Sequence, residues 1–148
     1  MSASAQKNLY ESDFHAWTLE QKDLLHKKQF TKLDLVHLEE ELQLMGASER
    51  RELLHRLKIL LCHLLKWKYQ PALQGKSWVR TIKGQREDVN YLLRENPSLN
   101  PKVPEFLNDA YRRAILLAAD ETGIDEEKFP LECEWTVKQI LDNDFFPN

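Results

Sequence analysis

The segment between Ser48 and Pro71 carries two apolar stripes at helical spacing, and it constrains the fold more than any other part of the chain. Its apolar side chains recur at intervals of three and four residues: Leu53, Leu54, Leu57, Leu60, Leu61, Leu64, Leu65 and Trp67. A helix with this pattern is apolar over more than half of its circumference, so other elements have to surround it. Ser48 is a suitable N-cap, and Pro71 prevents the helix from continuing. The sequence therefore predicts a central helix over residues 48–70.

Two shorter helices are predicted before the central one. The first starts near Asp13 and runs to about Gln29, and the second follows Thr31 and Asp34, which resemble a capping pair. An apolar stripe runs along the second helix: Leu35, Leu38, Leu42 and Met45. Gly46 comes directly after this stripe and is a typical helix stop, so we expect the second helix to end there.

Three further helices are predicted after Pro71. Ser77 is a candidate N-cap for a helix that reaches about Asn96. The next helix ends before Gly123, and a short one covers residues 136–141.

No segment has the alternating pattern of a strand, and a length of 148 residues suits one domain. We therefore predict an all-α fold, a single helical domain of about five main helices over residues 9–148. A flexible N-terminal tail over residues 1–8 is expected to precede it.

Composition and cysteine usage exclude several classes of protein. No run approaches the roughly 18 uninterrupted apolar residues that a membrane-spanning helix needs, and the first residues lack the basic and apolar parts of an export signal. The cysteines, Cys62 and Cys133, do not have the spacing of metal ligands, and we expect both to be reduced. The sequence therefore predicts a cytoplasmic protein with no membrane contact, no metal and no cofactor.

Charge is distributed unevenly along the chain. The formal net charge is -3, yet residues 50–86 contain ten lysines and arginines and only one acid, Glu52. Such segregation is typical either of acidic and basic helices that pack side by side or of a basic surface that binds an anion.

Polar side chains lie at helical spacing along two successive helices that otherwise look built for burial. They are His63, Lys66, Gln70, Ser77, Thr81, Gln85 and Arg86. Gln85 and Arg86 fall within the apolar stripe of Trp78, Ile82 and Val89, where a buried donor without a partner costs about 1 to 3 kcal/mol and a charge costs more. Partners for both side chains are therefore expected inside the protein.

The first interpretation of these residues is a structural polar network. Glu40 and Glu41 belong to a run of glutamates, and a carboxylate paired with Lys66 or Arg86 would offset the burial of either cation. The predicted network consists of Glu40, Glu41, His63, Lys66, Gln70, Ser77, Thr81, Gln85 and Arg86. Such a network fixes the register of helices and needs no ligand.

The second interpretation is that the basic segment binds nucleic acid or another phosphate ligand. Its cations can neutralise phosphates, and Trp67, Tyr69 and Trp78 could stack on bases. The candidate binding residues are His63, Lys66, Gln70, Arg80, Lys83, Gln85 and Arg86. The overall pI of about 6.0 lacks the basicity typical of a nucleic-acid-binding module.

A small enzyme is the third interpretation. His63 could act as a general acid or base if Glu40 or Glu41 oriented it. The sequence offers no convincing arrangement of a nucleophile with a base, however, so no catalytic residue is predicted.

Several short motifs lie together along nearly the whole chain. They are Tyr10 to Trp17, Leu38 to Leu42, His63 to Trp67 with Gln70 and Pro71, Ser77 and Trp78 with Gln85 and Arg86, Glu121 to Gly123, Phe129 with Pro130, and Asp144 to Pro147. In this combination the chain resembles the bacterial family known as domain of unknown function 29, which is common in cyanobacteria. The resemblance implies a small all-helical domain in the cytoplasm with no assigned activity, so it supplies no functional residues.

The sequence as a whole favours a non-catalytic protein-interaction or regulatory module, because each polar motif has an adequate structural explanation. The predicted partner is a protein, and nucleic acid or a phosphate ligand is the alternative. The sequence leaves the oligomeric state open.

Overall fold

The computed structural model describes residues 9–148, and this part of the chain is helical without any strand. After a helical turn at residues 9–12, the helices are α1 (Phe14–His26), α2 (Leu35–Tyr69), α3 (Lys76–Glu95), α4 (Val103–Thr122) and α5 (Val137–Leu141). Short 3-10 turns connect them at Phe30–Lys32, Pro71–Leu73, Pro97–Lys102 and Glu126–Lys128. The predicted all-α fold is confirmed, whereas the predicted tail over residues 1–8 lies outside the described residues.

Helix α2 is 35 residues long, because it joins two helices that the sequence predicts as separate. The predicted stop at Gly46 and the predicted N-cap at Ser48 are wrong, since both residues lie inside α2. One glycine costs a helix only about 1 kcal/mol relative to alanine, and the helix-forming residues on either side outweigh this cost. At the start of α2, Asp34 Oδ1 accepts a hydrogen bond from the backbone N–H of His37 at 3.3 Å. Thr31 lies in the preceding 3-10 turn and is not the cap.

The chain divides into two compact units, and the boundary between Ser48 and Glu49 lies within α2. The N-terminal unit ends at Ser48, and the C-terminal unit comprises Glu49–Asn148. Compact units are not necessarily separate folding domains, so the single domain over residues 9–148 stays a prediction.

In the N-terminal unit, α1 packs against the first part of α2 and forms a helical hairpin. The buried side chains of α1 are Trp17, Gln21 and Leu24. Trp17 Nε1 donates a hydrogen bond to Asp34 Oδ2 at 3.0 Å, and the backbone N–H of Asp34 donates to Gln21 Oε1 at 2.8 Å. His37 Nδ1 lies 2.7 Å from the same Asp34 oxygen. Polar contacts around Asp34 therefore hold α1 to the start of α2.

The core of the C-terminal unit is formed by α3, α4, α5 and the part of α2 that follows Ser48. Its fully buried residues include Leu53, Leu57, Leu60, Leu61, Leu64, Ile82, Val89, Ala110, Ala114, Ala118 and Ile140. The leucine stripes of the predicted central helix are thus buried apart from Leu54, which is half-buried. Ile82 and Val89 confirm the predicted inner side of α3. Trp78, from the same predicted stripe, is half-buried.

In the C-terminal unit one predicted helix end follows its sequence signal, a second does not, and one cap was not predicted. Gly123 ends α4 in a left-handed conformation with φ of 76°, as predicted. Thr136 caps α5 through a reciprocal pair of hydrogen bonds with Gln139. The predicted N-cap Ser77 is wrong, because α3 starts at Lys76 with Gly75 in the cap position.

Candidate functional site

Lys66 and Glu121 form the charged centre of the polar cluster predicted from the sequence. Lys66 Nζ on α2 donates to Glu121 Oε2 on α4 at 2.8 Å, and this hydrogen bond holds the pKa of Glu121 below its ordinary value. The Cys62 thiol donates to the same oxygen at 3.8 Å. The ammonium group of Lys66 also lies 5.1 Å from the centre of the Trp78 ring, within the range of a cation–π contact. Lys66 therefore has partners from two other helices, α3 and α4.

His63 lies one turn before Lys66 and bonds to its own helix. His63 Nδ1 is 2.9 Å from the carbonyl oxygen of Ile59, and because a carbonyl oxygen only accepts, Nδ1 carries the hydrogen. Burial holds the pKa of His63 below its ordinary value, which favours the neutral ring. In an acid–base pair a carboxylate would accept a hydrogen bond from one ring nitrogen and so orient the ring. In His63 the Ile59 carbonyl accepts this bond instead. Nearby, Gln70 Nε2 donates to the carbonyl oxygen of Thr122 at 3.4 Å.

Arg86 is fully buried, and its partners are backbone carbonyls rather than a carboxylate. Its Nε donates to the carbonyl oxygen of Ile140 and its Nη2 to that of Phe145, both at 2.7 Å. The guanidinium also lies 5.5 Å from the centre of the Phe146 ring. Burial lowers the pKa of Arg86 from its ordinary value. The neighbouring Gln85 is half-buried, and its Oε1 has no hydrogen-bond partner among the described residues.

The remaining members of the predicted network lie apart from this cluster or make only local bonds. Thr81 Oγ1 donates to the carbonyl oxygen of Ser77 at 3.1 Å, within α3. Glu40 is exposed, and Glu41 accepts a hydrogen bond from Tyr10 within the N-terminal unit. The other seven predicted residues belong to the C-terminal unit.

Sequence reasoning missed the acid that pairs with Lys66. Glu121 is 55 residues further along the chain, and no periodicity links the two positions. The only signal for Glu121 was its place in the motif Glu121 to Gly123, which says nothing about its partner.

A basic stripe, defined here as Lys76, Arg80 and Lys83, lies on one side of α3. All three side chains are exposed, and no acid of the described chain forms an ion pair with any of them.

The aromatic residues predicted to stack on bases contact other side chains of the protein. Trp67 packs on Phe146 with ring centres 4.9 Å apart, Tyr69 packs on Phe129 at 5.1 Å, and Trp78 lies beside Lys66.

An open cleft of about 690 Å³ lies along α4 and the segment that follows it. It is lined by Asn108, Tyr111, Arg112, Ile115, Leu116, Glu126, Leu131, Glu132 and Cys133. The hydroxyl of Tyr111 donates to the carbonyl oxygen of Pro130 at 2.7 Å, and burial raises the pKa of the Cys133 thiol. In residues 9–148 no three His, Cys, Asp or Glu side chains are arranged to hold a metal ion. The cleft therefore brings together neither an activated nucleophile nor a metal site.

The N-terminal unit exposes a row of large apolar side chains that the sequence predicts only as a stripe. On α2, the exposed fractions are 67% for Leu35, 65% for Leu42 and 65% for Met45. Asp34, directly before α2, and Glu41 form hydrogen bonds with Trp17, Gln21 and Tyr10, and the His37 ring stacks on Tyr10. These three residues therefore mark the side of α2 that faces residues 10–21. At 100° per residue, the exposed row lies about a quarter turn away from that side.

Two apolar residues of α1 extend this row. Phe14 and Leu25 are each about half exposed and lie roughly 60° around α1 from its buried side. The two helices are antiparallel, since Gln21 contacts Asp34 while Tyr10 contacts Glu41. Because the helices are antiparallel, the exposed residues of α1 and the exposed row of α2 lie on the same side of the hairpin. We call Phe14, Leu25, Leu35, Leu42 and Met45 the hairpin face.

Comparison with known families identifies the chain. Residues 9–146 match the family described as Domain of unknown function DUF29. The chain belongs to this family. No curated protein and no solved structure matches it.

The DUF29 match covers both the hairpin face and the polar cluster around Lys66. The predicted resemblance is thereby confirmed. The family description assigns no activity, and the function has to be argued from the geometry. Among residues 9–148, no helix of this DUF29 protein combines the length and apolar character of a membrane span.

Proposed function

We propose that this DUF29 protein is a cytoplasmic, non-catalytic protein-interaction module and that the hairpin face is its contact surface. One observation carries the proposal: five of the nine exposed large apolar side chains of residues 9–48, each about half to two-thirds exposed, share one side of a two-helix hairpin by their helical rotation. The other four, Leu19, Phe30, Val36 and Leu44, lie elsewhere on this unit. Soluble proteins rarely expose contiguous apolar patches, and such patches with a polar rim mark interaction surfaces. Single exposed leucines would need no such explanation.

The chemistry around the hairpin face favours a protein over an anionic partner. Residues 9–48 contain eight carboxylates and four lysines, so the unit is acidic. An acidic surface repels nucleic acid and anionic lipid headgroups. Apolar residues spaced along helices are instead the usual way in which helices dock on other helices or in protein grooves.

The polar cluster of the C-terminal unit supports the non-catalytic part of the proposal. Lys66 pairs with Glu121, His63 bonds to Ile59, and Arg86 bonds to backbone carbonyls. Each group thus has at least one hydrogen-bond partner within the protein, although the buried Nη1 of Arg86 has none among the described residues. These partners support a structural role for the three residues. The buried Cys62, whose pKa burial raises to about 12, is a poor nucleophile and suits a reduced, cytoplasmic thiol.

Affinity purification with matched variants tests the proposal. The tagged full chain is isolated from cells of its source as the native sequence, as Leu42→Glu and as Leu19→Glu. Leu19 is also about half exposed, but it lies opposite the buried side of α1, roughly 120° to 140° around the helix from Leu25 and Phe14. We expect a partner that is retained by the native chain and by Leu19→Glu and lost with Leu42→Glu. Equal recovery of every partner by both variants would count against the hairpin face.

A second candidate function is the binding of nucleic acid or another phosphate ligand by the basic stripe. The specific observation is that Lys76, Arg80 and Lys83 are exposed at spacings of four and three and lack ion-pair partners within the described chain. Phosphate binding by such cations weakens steeply with salt. Fluorescence anisotropy of a single-stranded oligonucleotide should then show salt-sensitive binding that Arg80→Glu abolishes. Absent or salt-insensitive binding rejects this function.

A further inference from the structure

We propose that the partner on the hairpin face is a second copy of this chain, related to the first by a two-fold axis. This inference rests on the proposed function, because it names the occupant of the same surface. The size of the hairpin core, the area of its face and the distribution of its charges support it.

The hairpin has a small core of its own. Between residues 9 and 48, the buried side chains are Trp17, Gln21 and Leu24, and one of them is polar. Two antiparallel helices bury only the strip between them, whereas two hairpins packed face to face share a core of four helices. A second copy supplies the matching hairpin without the need for any other protein.

The hairpin face suits pairing with itself. A two-fold interface brings one surface patch against the same patch of the other copy, so the patch has to be self-complementary. The five residues that define the face are all uncharged, so contacts between the two copies at these positions are apolar.

The apolar area is close to that of a reversible dimer. Transfer data assign roughly 100 Å² of apolar surface to a leucine-sized side chain. With the observed exposures, the five residues then offer roughly 300 Å² per copy. A standard interface buries about 800 Å² per partner, of which somewhat more than half is apolar. The hairpin face therefore supplies most of the apolar area of a standard interface, but not all of it. Because the area is somewhat small, we expect a dimer that dissociates on dilution.

Charges along the hairpin select one orientation of the two copies. Lys28 lies at the loop end of the hairpin beside Lys27, which already pairs with Asp23 at 2.9 Å. Glu11 lies at the open end beside Asp13, whose carboxylate caps α1. An antiparallel two-fold arrangement places the lysines of one copy near the acids of the other, whereas a parallel one places like charges together. Since the unit is acidic as a whole, an arrangement that brings Lys28 of each copy near the acids of the other is favoured.

Sedimentation velocity of the full chain over a series of concentrations is the first test. We expect a monomer–dimer equilibrium that Leu42→Glu weakens at least about tenfold and that Leu19→Glu leaves unchanged. Far-UV circular dichroism should show native helicity in both variants, because both positions are exposed. A monomer at every concentration, or a dimer that Leu42→Glu does not weaken, overturns the second copy as occupant.

A charge exchange tests the orientation. Lys28→Glu should weaken the dimer about threefold, as expected for an exposed ion pair, and addition of Glu11→Lys should restore it. Zero-length carbodiimide cross-linking of the native chain should join Lys28 to the acidic open end of another copy. Failure of both measurements overturns the antiparallel two-fold arrangement.

The same experiments separate this inference from the proposed function. If the chain stays monomeric while Leu42→Glu still removes a different protein in the affinity purification, the second copy is rejected and the interaction function stands. If neither a dimer nor a partner depends on Leu42, both are rejected.

Discussion

Arg86 Nε donates a hydrogen bond to the carbonyl oxygen of Ile140 at 2.7 Å, across 54 residues of sequence. A second bond, from Nη2 to Phe145, fixes the chain beyond α5 in the same way. A fully buried cation thus joins α3 to the C-terminal segment without any carboxylate. The positive charge strengthens both bonds, and the carbonyls would otherwise lose their donors.

We expect Arg86→Met to lower the free energy of unfolding by about 2 to 4 kcal/mol, because two carbonyl groups lose their hydrogen bonds. Urea denaturation followed by circular dichroism measures this change. Lys83→Met is the matched control, since Lys83 is exposed on the same helix and its replacement should change stability by less than about 0.5 kcal/mol. Equal stability of the two variants would show that Arg86 does not hold the C-terminal segment.

Gly46→Ala tests the continuity of α2. An added Cβ at Gly46 meets nothing within 4 Å, and alanine is the better helix former, so we expect a gain of about 0.5 to 1 kcal/mol in unfolding free energy. Gly123→Ala should instead destabilise the protein, because the φ of Gly123 is 76° and alanine is strained there. Thermal denaturation compares both variants. A loss of stability in Gly46→Ala would indicate a helix end at Gly46.

The stability of the protein should depend on pH through His63. Burial holds the pKa of His63 below its ordinary value in the folded state, the hydrogen bond to Ile59 opposes this shift, Lys66 adds to it and Glu121 opposes it. The unfolded chain therefore binds a proton first as pH falls below about 6.5, and this contribution to stability is lost between that pH and the lower folded pKa.

Comparison of the native chain with His63→Gln isolates this contribution from the other histidines. The difference between their unfolding free energies, native minus variant, should fall as pH decreases from about 7.5 to 5. Urea denaturation across this range measures the difference. A difference that stays constant or grows on acidification contradicts a buried, neutral His63.

The two thiols should react at different rates. Cys62 is fully buried, and burial raises its pKa to about 12, whereas Cys133 is only half-buried. The thiolate fraction of Cys62 at neutral pH is then lower by roughly a thousandfold than that of a free cysteine. Mass spectrometry after brief treatment with N-ethylmaleimide should find Cys133 labelled first and Cys62 labelled only in urea. Early labelling of Cys62 would contradict its structural role.

Local signals in the sequence predicted most helices of the C-terminal unit. Leu53, Leu57 and Leu64 mark a buried helix by spacing alone, and Gly123 marks the end of α4 by its conformational freedom. These features depend on residues that are close together in the chain. The stop at Gly46 failed because the penalty of one glycine is small compared with the summed helix propensity of its neighbours.

Contacts between distant parts of the chain could not be predicted in the same way. The pattern of α3 showed that Arg86 needs a partner, but it did not identify Ile140 and Phe145. It likewise did not connect Lys66 with Glu121. For Leu35 and Leu42, periodicity gave the stripe but not its exposure, because exposure depends on which element covers the stripe.

Photo-cross-linking from two exposed positions tests most directly whether the hairpin face is the contact surface. A photoreactive phenylalanine derivative replaces Leu42 in one version of the full chain and Arg80 in another, and both are irradiated in cells of the source. We expect adducts with another polypeptide from position 42 and none from position 80. Adducts from position 80 with none from position 42 would contradict the account.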